Sequence, residues 1–406
     1  MTSALPALKH NFNFWLWWFA SAQSALGSAL AGVALSLLVY RLSGSAGALG
    51  VNLALSLLPG LLSPLLGTLI DRLPVRLPLV LGDALRGGFQ LAAGALALRG
   101  QISVEALNVL AFLGGLVGAF YGPAGMGVLA GLVRPGDLAR ATGLMQSSNS
   151  TMNLLGLVGG GVLVGVFGSA GLLVADGASF LLMAGLLLLV RFAPRPVRVP
   201  ASFWADFTGG LRYARSSTAL ALLPVLGFFI NATLAPMEML VLPRMKELGA
   251  GAAGYGLFFG MLVGGQILGS LAVVGLGPRL KPRALSVWAF AAAGMLLLTL
   301  ALTRTAPQMY AVALLLGAAL ALVSSAISLL FIGLVAPAYF GRVGSLLNMV
   351  STTGMPLTLL LLAPVADRVP IWTMFAASGA VTLMATAVWR WALSREPLER
   401  EGSPAT

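Results

Sequence analysis

Two carboxylates stand inside apolar runs of this chain. Asp176 lies in LLVADGASFLLM and Glu238 in NATLAPMEMLVLP. An acid surrounded by hydrocarbon is costly to keep charged and marks a functional site by default. In a proton-coupled carrier, such a group lets substrate and proton compete for one charge. Glu238 follows Pro236, whose missing N–H frees a carbonyl toward a cavity. Each acid has a plainer alternative. Asp176 would cap or hydrogen-bond near the outer end of its helix, and Glu238 would sit at the interface, paired with Arg244 or Lys246. Asp83 and Arg86 lie three apart, share a helix face, and are expected to neutralise each other as a structural pair. Amides are scattered through the same runs: Gln23, Asn52, Asn149, Asn153, Asn231, Gln266 and Asn348. An amide binds uncharged polar groups without selecting for charge, so these seven are expected to line a cavity. The chain has no cysteine and a single histidine, His10. Thiolate chemistry, a zinc cluster and histidine acid–base catalysis are thereby excluded. No P-loop, dinucleotide fingerprint or metal spacing occurs, so no metal and no cofactor is expected.

The elements that must position these groups follow from composition. The 406 residues are 58% hydrophobic and 9% charged, against about 25% charged in a soluble domain. So few charges cannot cover a water-facing surface, so most of the chain must face lipid. Spanning helices of ~20 apolar residues are expected near 13–40, 47–70, 77–98, 104–131, 142–167 and 169–191. Six more are expected near 217–242, 251–276, 283–303, 308–335, 342–365 and 370–392. The runs are continuous rather than alternating, which excludes a β-barrel. The net charge of +12 would suggest nucleic acid in a soluble protein, but here it resides in short loops. With the N-terminus inside, eighteen of the 24 Lys and Arg residues fall on the inner side, which puts both termini in the cytoplasm.

Residues 193–216 divide the chain. They open with the stiff APRPVRVP and continue as SFWADFTGGLRYARSS, where Phe203, Phe207 and Leu211 recur at helical spacing before Arg212 and Arg215. A short amphipathic helix on the inner membrane face is expected there. The division gives an N-terminal six-helix bundle (1–192), a cytoplasmic linker (193–216), a C-terminal six-helix bundle (217–392) and a cytoplasmic tail (393–406). ARATGLMQSSNS and GRVGSLLNMVS echo each other in the two halves, with Arg140 matching Arg342. Two six-helix halves enclosing a substrate site is a transporter-type repeat.

Between the second and third runs stands GTLIDRLPVR. Gly67 permits close helix contact. Asp71 can accept from exposed N–H groups at a neighbouring helix N-terminus, and Arg72 and Arg76 can pair with carboxylates or lipid head groups. The plainer alternative is a positive-inside loop. Through Gly67, Leu69, Asp71, Arg72 and Arg76 the stretch resembles motif A of the major facilitator superfamily. GDALRGG and GGLRYARSS look like the drug-exporter branch that includes macrolide efflux proteins and the enterobactin exporter. The resemblance implies the major facilitator fold and a cytoplasmic gate, in which Asp71 faces the region of Gly341 and Arg342 while Arg76 reaches Asp137. GLVGGG at Gly156–Gly161 is similar to the antiporter motif C of that superfamily, with Leu157 where proline would stand.

The expectation is therefore an all-α membrane protein of twelve transmembrane helices, a monomer in the bacterial inner membrane. It would export small amphipathic compounds by alternating access with proton antiport. A dedicated carrier of a siderophore, lipid or metabolite is the alternative within transport. Against an enzyme stand the single His10, the absence of Cys and the lack of clustered acids, and a sensor lacks a soluble domain beyond the linker.

Overall fold

The computed structural model describes residues 6–63, 66, 73–126, 128–192, 203–277 and 281–395. Gly67, Asp71 and Arg72 lie outside these, as do residues 193–202 of the linker. Every regular element among the described residues is helical. The helices are α1 (Phe12–Ser43), α2 (Ala46–Leu57, continued by a 3-10 segment Leu58–Leu62), α3 (Arg76–Leu98) and α4 (Val104–Met126, followed by a short helix Val128–Leu132). Then come α5 (Leu138–Leu189), α6 (Phe203–Ala214), α7 (Thr218–Glu247), α8 (Gly251–Leu276), α9 (Pro282–Leu302), α10 (Ala306–Leu334), α11 (Phe340–Leu362) and α12 (Ile371–Ser394). Among the described residues, eight helices are long and apolar enough to cross a membrane. The helix α3 carries Arg76, Asp83 and Arg86 and falls outside that group.

Local chemistry sets the ends. The side chains of Asn11, Ser45 and Ser217 accept from Phe14, Ala48 and Leu220 N–H, satisfying donors that a helix start leaves open. Thr305 and Gln308 form a reciprocal capping box at α10. Gly168 (φ 70°, ψ 163°) is non-helical and breaks α5 into two arms. A side chain would be strained there, so glycine is what allows the chain to turn.

Contacts divide the chain into two compact units. One comprises Met1–Pro200 with Gly251–Leu257, the other Ala201–Ala250 with Phe258–Thr406. Apolar side chains such as Val166, Trp288 and Val274 are largely exposed, as lipid-facing residues should be. Between lipid-bathed helices, close packing rather than water exclusion drives association, and small residues allow it. In the first unit, a Cβ on Gly177 of α5 would strike the Gly87 carbonyl of α3, and one on Gly156 would strike the Leu26 carbonyl of α1. In the second unit, Gly379 of α12 stands in the same relation to the Gly294 carbonyl of α9, and Gly354 of α11 to the Phe228 carbonyl of α7. Gly115 likewise meets the Ser56 carbonyl of α2, and Gly317 the Leu262 carbonyl of α8. Each unit therefore uses one packing scheme, the first helix on the fifth, the second on the fourth and the third on the sixth, when the arms of α5 are numbered separately.

The linker helix α6 packs within the second unit, on the start of α11. Tyr213 stacks on Tyr339 at 4.2 Å and its hydroxyl accepts from Ala336 N–H at 3.0 Å. Gly209 and Gly210 lie where a side chain would meet Arg342.

Candidate functional site

In the second arm of α5, Leu172, Leu173, Asp176, Gly177, Phe180, Met183, Ala184 and Leu187 are buried. Their three- and four-residue spacing makes one inward stripe. Asp176 lies on it, 1% exposed. Gln90 of α3 donates to one carboxylate oxygen at 2.9 Å. The Ser179 and Ser28 hydroxyls reach the other at 3.4 and 3.5 Å. Gln23 of α1 closes the cluster by donating to the Ser179 and Ala20 carbonyls. Arg86, one turn before Gln90, lies 5.7 Å from the Phe180 ring centroid and interacts electrostatically with Asp176. Asp83 is buried three residues earlier on the same helix. A cavity of about 200 Å³ adjoins, with Ser56, Arg86, Gln90 and Phe180 in its wall. A carboxylate so enclosed, with an amide that can rotate and a guanidinium nearby, can take up and release a proton.

The second unit holds a different site. A cavity of about 350 Å³ is lined by Asn231 of α7, Gln266 of α8, Ser324 of α10, and Asn348 and Ser351 of α11, with Ile230, Leu320 and Leu347 among its apolar walls. The Asn231 amide N–H donates to the Gly227 carbonyl at 2.9 Å, which leaves its oxygen for a ligand. Among the described residues, none that lines this cavity is charged. Several hydrogen-bonding groups within apolar walls is the usual composition of a small-molecule pocket.

Of the seven amides expected to line one cavity, Asn231, Gln266 and Asn348 meet here. The others lie in the first unit and do different work. Asn52 is buried and donates to Asn108 at 2.9 Å, joining α2 to α4. Gln23 supports the Asp176 cluster, Asn149 is half-buried and Asn153 is exposed.

Glu238 is partly buried in α7 and makes no hydrogen bond or ion pair among the described residues. Its expected alternative partner Arg244 is committed elsewhere, to Glu247 at 2.8 Å and to the Thr303 carbonyl at 2.8 Å. The pairing of Arg76 with Asp137 is corrected. Arg76 donates to the Val190 carbonyl at 2.8 Å, because α3 packs beside the end of α5, and Asp137 accepts from Leu8 N–H at 3.3 Å. Arg342 lies against Tyr339 and α6.

Sequence reasoning missed Gln90, Ser28, Ser179 and Asn108. A signal existed for Gln90, since Asp83, Arg86 and Gln90 recur every three or four residues along α3 and form one polar stripe. Asn108 stands alone in an apolar run, as Asn52 does. The serines carry no signal, because Ser is common in apolar helices.

The sequence pattern of the transmembrane secretion effector family matches residues 2–401. The multidrug efflux pump Tap of Mycobacterium tuberculosis is 26% identical over 373 residues, 88% of either chain. An MFS-type transporter of Bacillus subtilis, YkuC, is 27% identical over 272 residues, 62% of either chain. Among solved structures, the nucleoside transporter NupG superposes with a TM-score of 0.75 at 12% identity, over 94% of this chain and 100% of that one. A bacterial homologue of the iron transporter ferroportin gives 0.75 at 19% identity, over 96% and 100%. At these identities the likeness speaks to fold alone.

Proposed function

The chain belongs to the transmembrane secretion effector family of the major facilitator superfamily, and on that premise we propose that it exports small amphipathic compounds in exchange for protons. It is a multi-pass membrane transporter, and its family and structural neighbours are transporters rather than enzymes. One arrangement carries the finer reading: an enclosed, hydrogen-bonded acid in the first unit and an uncharged, amide-lined pocket in the second. The pocket can hold a largely apolar molecule through its walls and orient its polar groups through Asn231, Gln266 and Asn348. The acid supplies what a secondary carrier needs from a gradient, a group whose protonation alters the protein's own electrostatics. The name of the Mycobacterium relative, a multidrug efflux pump, supports a broad substrate range for this chain too.

Counting the two arms of α5 separately, and α2, α3 and α4 as crossings, brings the eight long apolar helices to twelve proposed passages through the membrane. The excess of basic loops on one side supports cytoplasmic termini, and we place the carrier in the bacterial inner membrane as a monomer. Glu238 is the second candidate for coupling, favoured by having no partner among the described residues.

Inverted membrane vesicles with an imposed pH gradient test the reading. They should accumulate an amphipathic dye in proportion to the gradient and release it when a protonophore collapses it. Accumulation that ignores the protonophore removes proton coupling. Failure to move any of a panel of amphipathic dyes favours a dedicated carrier instead.

A further inference from the structure

A second cavity in the C-terminal unit lies far along α7 from Asn231 and has a different chemistry. It encloses about 390 Å³ where the end of α7, the end of α9 and the start of α12 come together. Its polar wall holds Arg244, Glu247 and Arg304, and its apolar wall includes Leu302, Trp372 and Phe375. Two guanidiniums against one carboxylate leave the site positive. Arg244 is held in place by Glu247 and by the Thr303 carbonyl, each at 2.8 Å. Arg304 is fixed at its backbone, where its N–H donates to the Gln308 side chain at 2.8 Å, and its guanidinium makes no hydrogen bond or ion pair among the described residues. Trp372 is 61% exposed at the rim. An exposed tryptophan at a helix end suits the water–lipid boundary.

We propose that this pocket binds the phosphate of a membrane phospholipid, with Arg304 and Arg244 as the anion-binding pair and Trp372 flanking the head group. A free phosphate would need only the arginines. What favours a lipid is the apolar track that leaves the pocket. Trp288, Met295 and Leu302 recur every seven residues along α9, so they share one face, and each is more than half exposed. That stripe runs away from the arginines along the helix, as an acyl chain below its head group would. An arginine fork matches phosphate geometry, and the fixed backbone at Arg304 limits the ordering cost.

The test uses the purified full-length transporter in detergent, titrated with phosphatidylglycerol, phosphatidylcholine or inorganic phosphate while thermal stability and lipid retention by native mass spectrometry are read. Phosphatidylglycerol should be retained in preference to phosphatidylcholine, and Arg304→Gln should weaken that retention about fivefold, as expected for one basic residue near an anionic lipid. Arg99→Gln, an exposed base at the end of α3, should leave it unchanged. Equal retention by Arg304→Gln and the parent protein overturns the site. Inorganic phosphate protecting as well as the lipid overturns the lipid assignment. Arg244→Gln serves as the second variant, and its melting temperature separates loss of the Thr303 contact from loss of lipid.

Discussion

The two compact units share their packing but not their polar interiors. Asp176-Gly177 and Ser378-Gly379 occupy matching places, each glycine against a glycine carbonyl of the third helix of its unit. The acid of the first unit is thus a serine in the second. Around Asp176 stand Arg86 and Gln90, whereas around Ser378 the partner helix offers Ala293 and Leu297, both buried. The second unit builds its interior from hydroxyls instead. Thr382 and Thr233 share a hydrogen bond of 3.0 Å, and Trp389 donates to Ser286 at 2.9 Å. The repeat therefore fixes where helices touch and leaves chemistry free to diverge, with a hydrogen-bonded acid cluster in one half and an amide-lined pocket in the other.

The largest effect expected from blurring that contrast is structural. Ser378→Asp would bury a carboxylate without the arginine and glutamine that accompany Asp176. Such an acid costs roughly 3 kcal/mol at a helix centre, so a marked fall in thermal midpoint is expected, measured by tryptophan fluorescence in detergent. An unchanged midpoint would mean that the two interiors are interchangeable. Next comes the amide pocket. Gln266→Leu should raise the apparent KM for transport by about five- to tenfold, the cost of a lost hydrogen bond of roughly 1–1.5 kcal/mol, with little change in maximal rate. A pure fall in rate would place Gln266 outside recognition. The smallest effect is Thr382→Val, which removes the Thr233 contact and should cost about 1 kcal/mol of stability without altering transport.

Much of this was legible in the sequence because lipid imposes continuous apolar runs, and most of those runs reappear as helices with ends a few residues away, while the end expected near 70 lies outside the described residues. The Gly168 break falls between two expected spans. Asp176 stood out because a charge in hydrocarbon is conspicuous. Its neighbours did not, since Gln90 lies eighty-odd residues away and meets it only because Gly87 and Gly177 bring α3 and α5 into contact. The amides misled for a similar reason. An Asn in an apolar helix satisfies itself either at a cavity or against another amide, and Asn52 found Asn108. Only the helix pairing decides between those outcomes, and spacing along one helix does not encode it. The Arg76–Asp137 pairing failed likewise, because the Val190 carbonyl at the end of α5 takes the Arg76 guanidinium and Asp137 accepts from Leu8 N–H.

The division of labour between the units is tested most directly with Asp176→Asn reconstituted in liposomes, where substrate binding and gradient-driven uptake are measured on one preparation. The amide should preserve shape and the Gln90 contact while removing the proton. Binding within about twofold of the parent, intact counterflow exchange and no accumulation driven by a pH gradient are the predicted results. Undiminished accumulation with the parent's pH dependence, or its loss in Glu238→Gln instead, would contradict the assignment of coupling to the first unit.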